Sequence, residues 1–149
     1  MTDDELLAAA IEQARIGRDE GGVPIGAVLA VGGDVVGAGH NRRVQMGSVI
    51  RHGETDALED AGRLPASTYA RATMYTTLSP CHMCTGAILL YGIPRVVIGE
   101  NTTFVGAEDL LREHGVEVIV AGSQQCIDLM DEFITAHRSL WNEDIGRPE

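Results

Sequence analysis

Four residues in two separate stretches have the types and spacing for chemistry: His52 and Glu54 in "RHGETDALEDAG", and Cys81 and Cys84 in "TLSPCHMCTGAILLYG". The two cysteines stand at positions i and i+3 of a predicted helix start, so both thiols leave one face. Unpaired N–H groups and the helix dipole favour thiolates at that end. Pro80 suits the entry, because proline belongs at or just before a first helical turn. Taken alone, C-x-x-C serves as a redox pair, as half of a metal site, or as buried packing.

His52 adds a third donor. It too stands at a predicted helix start, and two such starts, each following a strand or its loop, converge at one end of a sheet. One imidazole and two thiolates then supply three ligands for a tetrahedral zinc ion and leave the fourth position to water, which is the catalytic rather than the structural pattern. A structural site wants a fourth protein ligand at short spacing. The remaining cysteine, Cys126, lies far along the chain, where it reads as a small buried hydrophobe. Two thiolates and a neutral imidazole neutralise the ion, so binding hydroxide or an alkoxide there costs no large buried charge.

Glu54 is placed to move protons without itself binding the metal. The plainer readings are an exposed helix-start histidine and an acid that compensates a helix dipole. Against them stands the whole pattern, H-x-E followed downstream by P-C-x-x-C, which is the signature of zinc-dependent nucleobase deaminases.

The elements that must position these residues follow from periodicity. Leu6, Leu7, Ala10, Ile11 and Ala14 recur at helical spacing, predicting a helix from Asp3 to about Arg18, capped by Thr2 or Asp3 and ended by Gly21–Gly22. "IGAVLAV" and "VVGAGHN" read as two strands, 25–31 and 35–41, joined by a tight turn at Gly32-Gly33-Asp34. A loop follows to Arg51, then a helix from His52 to about Ala61. Beyond it come a strand at Thr73–Leu78, a helix from near Cys81 to about Gly92, and strand "RVVIG". A helix at "AEDLLREHG", strand "VEVIVAG" and a helix from Gln124 to His137 complete the pattern. The tail "LWNEDIGRPE" reads as irregular. Alternation of strands and helices after an initial hairpin predicts α/β layering over a largely buried sheet. No linker, repeat or low-complexity tract divides the 149 residues, so one domain is expected throughout.

Composition narrows the partners. The net charge is −11, from 22 acidic against 11 basic residues, and the densest basic cluster is only Arg42, Arg43 and Arg51. A protein that grips nucleic acid by its phosphates wants a positive face. The balance favours a small neutral or weakly charged substrate and no nucleic acid. Apolar residues make up 44% without a run of about 18, which leaves no membrane span. The N-terminus begins acidic and does not read as a secretory signal. Three cysteines, two of them in C-x-x-C, suggest a reducing compartment, and the cytoplasm is expected.

Beyond the metal motif, "EGGVPIGAVL", "GHNRR", "HGE", "MYTTLSPCHMCTGAI", "YGIPRVVIGEN" and "WNEDIG" run nearly end to end along the chain. Through them the sequence resembles the cytidine deaminase superfamily, and within it the fungal-type cytosine deaminases that act on the free base. The resemblance implies a three-layer α/β/α sandwich with a five-stranded mixed sheet, one zinc ion held by His52, Cys81 and Cys84, and Glu54 as proton shuttle. It implies that Asn41 and the backbone at Gly53 hold the polar edge of a pyrimidine and that Asp144 meets its exocyclic amine. Phe104, Trp141, Ile145 and Ile25 would form apolar walls and lid, and the protein would be a homodimer. The reaction it implies is hydrolysis of cytosine, or a 5-substituted cytosine, to the corresponding uracil and ammonia.

Read without the resemblance, Trp141 is terminal packing, Asn41 turn chemistry and Phe104 ordinary core. Two departures from the family pattern stand out. His82 replaces a common acid between the cysteines and should point away from the metal face, toward solvent or a dimer contact. Asn142 follows Trp141 where an aromatic is usual, and the tail runs on as "RPE". Competing expectations are a deaminase of guanine or another amino-heterocycle, a tRNA adenosine deaminase, and a noncatalytic zinc-stabilised module with a fourth protein ligand.

Overall fold

The computed structural model describes residues 1–148. In chain order the elements are α1 (Asp3–Asp19), β1 (Gly26–Val31), β2 (Asp34–His40), α2 (Arg43–Met46), α3 (Gly53–Ala61) and α4 (Ala66–Tyr69). They continue with β3 (Ala72–Leu78), α5 (His82–Leu90), β4 (Arg95–Glu100), α6 (Glu108–Glu113), β5 (Glu117–Val120), α7 (Gln124–Ala136) and α8 (Arg138–Asp144). The strands form one mixed sheet in the order β2-β1-β3-β4-β5. β1 pairs antiparallel with β2 and β3, whereas β3, β4 and β5 run parallel.

Period-two alternation assigns the two faces of this sheet. Ala27, Leu29, Met74, Val96 and Ile98 face one cluster with Ala57 of α3, Ile88 of α5 and Leu111 of α6. Val28, Ala30, Tyr75 and Val97 face the other with Leu6, Leu7, Ala10 and Ala14 of α1 and Cys126 and Leu129 of α7. The expected three-layer α/β/α sandwich is therefore present, and Cys126 is a buried packing residue. Among the described residues no helix is long and apolar enough to cross a membrane.

Local chemistry explains the ends of the elements. Thr2 and Glu5 form a capping box on α1: the Thr2 hydroxyl accepts the Glu5 N–H at 3.2 Å, and the Glu5 carboxylate accepts the Thr2 N–H at 3.2 Å. Gly32 and Gly33, with φ of 59° and 83°, make the two-residue hairpin turn between β1 and β2. Asp34 pairs with Val31, so it belongs to the strand and not to the turn as expected.

Three short helices depart from the sequence reading. α2 lies in the segment expected to be loop, and α4 lies between the second predicted helix and the third strand. The tail expected to be irregular holds α8, whose Trp141, Asn142 and Asp144 are buried. A helix of 7 residues carries too little periodicity to announce itself. α8 is stabilised by docking: Trp141 joins a third cluster with Val23, Ile25, Leu78, Met130, Phe133 and Ile134.

Candidate active site

The site gathers where β3 and β2 end. β3 delivers Ser79 and Pro80, and Cys81 is the N-cap of α5. β2 delivers Asn41, and the segment after it returns to His52, the N-cap of α3. In open α/β sheets ligand crevices lie outside the carboxyl ends of strands, and this one obeys that rule.

Both cap positions are fixed by the chain's own hydrogen bonds. The His52 N–H donates to Thr55 Oγ1 at 2.9 Å, and the Thr85 N–H donates to the Cys81 carbonyl at 2.9 Å. The His52, Cys81 and Cys84 donor atoms all lie within 4.8 Å of one another, with His52 Nδ1 and Cys81 Sγ 3.5 Å apart. Zn–N and Zn–S bonds at a tetrahedral ion place N and S about 3.5–3.6 Å apart. Spacing and donor chemistry therefore both fit one zinc ion. His82, between the cysteines, is exposed and takes no part in the group.

The second imidazole nitrogen is held as well. His52 Nε2 faces Asp144 Oδ1 at 3.4 Å. Asp144 is itself fixed by Arg43 Nε on Oδ1 at 2.8 Å and by Asn41 Nδ2 on Oδ2 at 3.0 Å. A carboxylate on one ring nitrogen turns the other toward a metal and fixes its tautomer.

Charges in this cluster are strongly coupled. Burial pulls the His52 imidazole down, but Asp144 and Cys81 outweigh it and raise it to about 10. Cys81 is lowered to about 4, first by its hydrogen bond from Cys84 and then, against burial, by His52. The same hydrogen bond, together with burial, pushes the Cys84 thiol up. Burial raises the Glu54 carboxyl to about 7, and negative charge on Cys81 adds to the rise. Burial also works against an ionised Asp144, yet His52, Arg43 and Asn41 keep its carboxyl below the usual range.

A small cavity adjoins these groups, lined by Ile25, His52, Glu54, Leu78, Ser79, Cys81, Phe104, Trp141, Asp144 and Ile145. Phe104 and Trp141 meet edge to face, with ring centroids 5.7 Å apart. Eight of the residues singled out in the sequence thus share this cavity. Asn41 is fully buried behind Asp144 rather than in the lining, and Gly53 packs its backbone against Ile25 and Gly26. Cys84 is buried below Cys81.

Three residues at the site carried no role in the sequence reading. Leu78 and Ser79 line the cavity, and Arg43 holds Asp144. Ser79 Oγ donates to Glu108 Oε2 at 2.6 Å and accepts the Gly106 N–H at 2.9 Å, which braces the turn into Cys81. The signal for Ser79 was its place two residues before a metal-binding cysteine. For Arg43 it was a charged residue directly after the strand end that delivers Asn41.

Residues 1–100 match the family described as the cytidine and deoxycytidylate deaminase zinc-binding region, and the chain belongs to that family. Among its relatives is the cytosine deaminase of Candida albicans (strain SC5314 / ATCC MYA-2876), 57% identical over 145 residues that cover 97% of each chain. The tRNA-specific adenosine deaminase of Bacillus subtilis (strain 168) is 40% identical over 101 residues, 66% of this chain and 63% of that one. A solved structure from a study of A-to-I editing by tRNA:A34 deaminases superposes with a TM-score of 0.73 at 27% identity, covering 85% of this chain and 99% of that chain.

Proposed function

We propose that this protein hydrolyses free cytosine to uracil and ammonia with one zinc ion per chain. The observation that carries the reading is the Glu54 carboxyl, buried in the same small cavity as the His52–Cys81–Cys84 group. Near-full-length similarity to a cytosine deaminase supports the substrate. The cavity's mostly apolar lining, Ile25, Leu78, Phe104, Trp141 and Ile145 with a few convergent polar groups, is the make-up of a small-molecule site. The net charge of −11 speaks against a tRNA substrate.

Zinc held by the three ligands supplies Lewis acidity and makes water a nucleophile near neutral pH. Glu54 takes one proton from the attacking water and gives it to ring N3, which makes C4 electrophilic. The C4–O bond forms. Glu54 then carries the second water proton to the exocyclic amine, the C4–N bond breaks, and ammonia leaves while N3 keeps its proton. Asn41 and the Gly53 backbone hold the polar edge of the ring, and Asp144 faces the exocyclic amine. Ile25, Phe104, Trp141 and Ile145 sandwich the ring and exclude water.

The protein acts as a homodimer in the cytoplasm. The use of Cys81 and Cys84 in a metal-compatible group, with Cys126 buried in the core, supports a reducing compartment. Exposed Val49, Ile50, Met83 and Val105 support the dimer, because they line two adjoining grooves that share Met83. Sedimentation of the protein and of Ile50→Glu tests that assembly: the protein should run as a dimer and the variant as a monomer.

The deciding experiment for the activity measures ammonia release by the zinc-loaded protein from cytosine, 5-methylcytosine, guanine and adenine, with tRNA in parallel. Cytosine should be turned over fastest. Faster turnover of guanine or of tRNA adenosine would replace the proposal with a different deaminase.

A further inference from the structure

Asp56 is a buried acid that the chemistry above does not use. Its side chain is 4% exposed on α3, one turn beyond His52, and it accepts three donors. Oδ2 accepts the His40 backbone N–H at 3.0 Å and Arg42 Nε at 2.8 Å, while Oδ1 faces Arg51 Nε at 3.1 Å. Arg42 and Arg51 are the two ends of the segment that joins β2 to α3, and the Arg42 N–H donates to the Arg51 carbonyl at 2.9 Å. The neighbouring backbone is cut to fit the carboxylate. A Cβ on Gly39 would stand 2.6 Å from Asp56 Oδ2 and 2.6 Å from the Ala57 nitrogen, so any larger residue would drive α3 away from β2.

This closed segment carries the groups that hold Asp144. Asn41 Oδ1 accepts the Arg43 N–H at 3.0 Å, and Arg43 and Asn41 then grip the two oxygens of Asp144. Arg43 also reaches Glu143 at 3.6 Å. A continuous set of contacts therefore runs from Asp56, through the ends of the segment, to the carboxylate that lines the cavity. Asp56, Asn41 and Asp144 are buried, whereas Arg42 and Arg51 are 30% and 33% exposed, so the segment is tied at its two ends through the buried Asp56 carboxylate. A buried carboxylate shared by two guanidinium groups is strongly destabilised when one partner is removed, because the remaining charges keep their desolvation cost.

We propose that Asp56 is a positioning residue for substrate: by closing the Arg42–Arg51 segment it holds Arg43, and through Arg43 it sets Asp144 in the cavity. The inference rests on the deaminase reading for its kinetic consequence only. The Asp56 N–H donates to the His52 carbonyl at 2.8 Å, a helix bond that Asp56→Asn keeps. Its carboxylate pairs with His40, Arg42 and Arg51 and lines no part of the cavity, so the carboxylate acts on binding geometry and not on the proton transfers of Glu54.

The test uses the zinc-loaded enzyme and Asp56→Asn, with steady-state kinetics on cytosine and amide hydrogen exchange across residues 42–51. Asp56→Asn should raise KM about 10-fold, leave kcat within about 3-fold, and retain one zinc per chain. Exchange in 42–51 should speed up about 10-fold, while α7 stays as protected as before. Replacing the whole charged set, in Arg42→Gln/Arg51→Gln/Asp56→Asn, should leave KM raised, because nothing then ties the two ends of the segment. Recovery of KM would overturn the proposal, since unpaired charge and not an open segment would have caused the loss. If Asp56→Asn does not fold, Arg51→Gln carries the same test, with an expected KM rise of about 3-fold. Lowered thermal stability with unchanged KM and unchanged exchange in 42–51 would overturn the proposal and leave Asp56 a purely structural charge. If the unmodified enzyme does not act on cytosine, the functional reading fails by itself, and the exchange measurement still decides whether Asp56 closes the segment.

Discussion

His52 stands between two different partners, with Nδ1 3.5 Å from the Cys81 sulfur and Nε2 3.4 Å from Asp144 Oδ1. One imidazole thereby links the metal ligands to the carboxylate that faces the cavity. Removing that carboxylate should weaken both functions. Partners of ligating histidines typically contribute 10–100-fold in metal affinity. Asp144→Ala should lower zinc affinity by about 10–100-fold in chelator competition and raise KM for cytosine even when zinc is saturating. Unchanged zinc affinity would mean that Asp144 serves the substrate alone.

Proton release on metal binding follows from the same cluster. In protein stripped by a chelator, His52 at about 10 and Cys84 pushed well up hold their protons, whereas Cys81 at about 4 has already lost its own. Zinc requires a neutral imidazole nitrogen and two thiolates. At about pH 8.5, above the Glu54 value of about 7, binding should release about two protons per ion. Affinity should therefore rise by about two decades per pH unit in that range. Calorimetry in buffers of different ionisation enthalpy counts the protons directly. A count near zero would contradict this charge distribution.

The zinc ligands were legible because their chemistry is local: each sits at a helix cap, and cap positions are announced by Pro80 and by the H-x-E and C-x-x-C spacings. The sheet was legible because its residues alternate faces or form apolar runs. α8 was not, since Trp141 and Asp144 gain helical structure from docking rather than from the pattern of the tail. Nor was the role of Arg43 or Asp56. Their partners lie 101 and 14 residues away, Asp144 and Arg42 respectively, and nothing in charge spacing along the chain shows such a pairing. The family resemblance, and not the residue pattern, implied a substrate contact for Asn41, and the structure adds that its amide donates to Asp144.

At the opposite edge of the fold, Asp3 at the start of α1 ties that helix to β3 and β4. The hydrogen bond from Arg95 and then that from Tyr75 hold its carboxyl down at about 2, against an ordinary value of 3.8. A carboxyl lowered in the folded state contributes stability above its unfolded value, and that contribution is lost as pH falls through the folded value. The side chain is 46% exposed, so solvent screening keeps the contribution below about 1 kcal/mol. In urea denaturation Asp3→Asn should be less stable than the unmodified protein at pH 7, and the gap should narrow as pH falls from about 5 to about 3. A gap that widens on acidification would refute the assignment.

Glu54 offers the sharpest separation of chemistry from structure. Its carboxyl is 3% exposed and poised at about 7 by burial and by the charge on Cys81. Glu54→Gln keeps the size and most of the hydrogen bonding but cannot exchange protons. Positioned acid–base groups contribute about 10²–10⁴-fold, so kcat should fall by at least about 100-fold. Because Glu54 lies outside the ligand set, zinc content should stay at one per chain, and the fold should be unaltered by circular dichroism. KM should change little, since the proton transfers come after binding. Near-normal turnover by Glu54→Gln would mean that another group carries the protons, and loss of zinc would mean that the carboxylate belongs to the metal site.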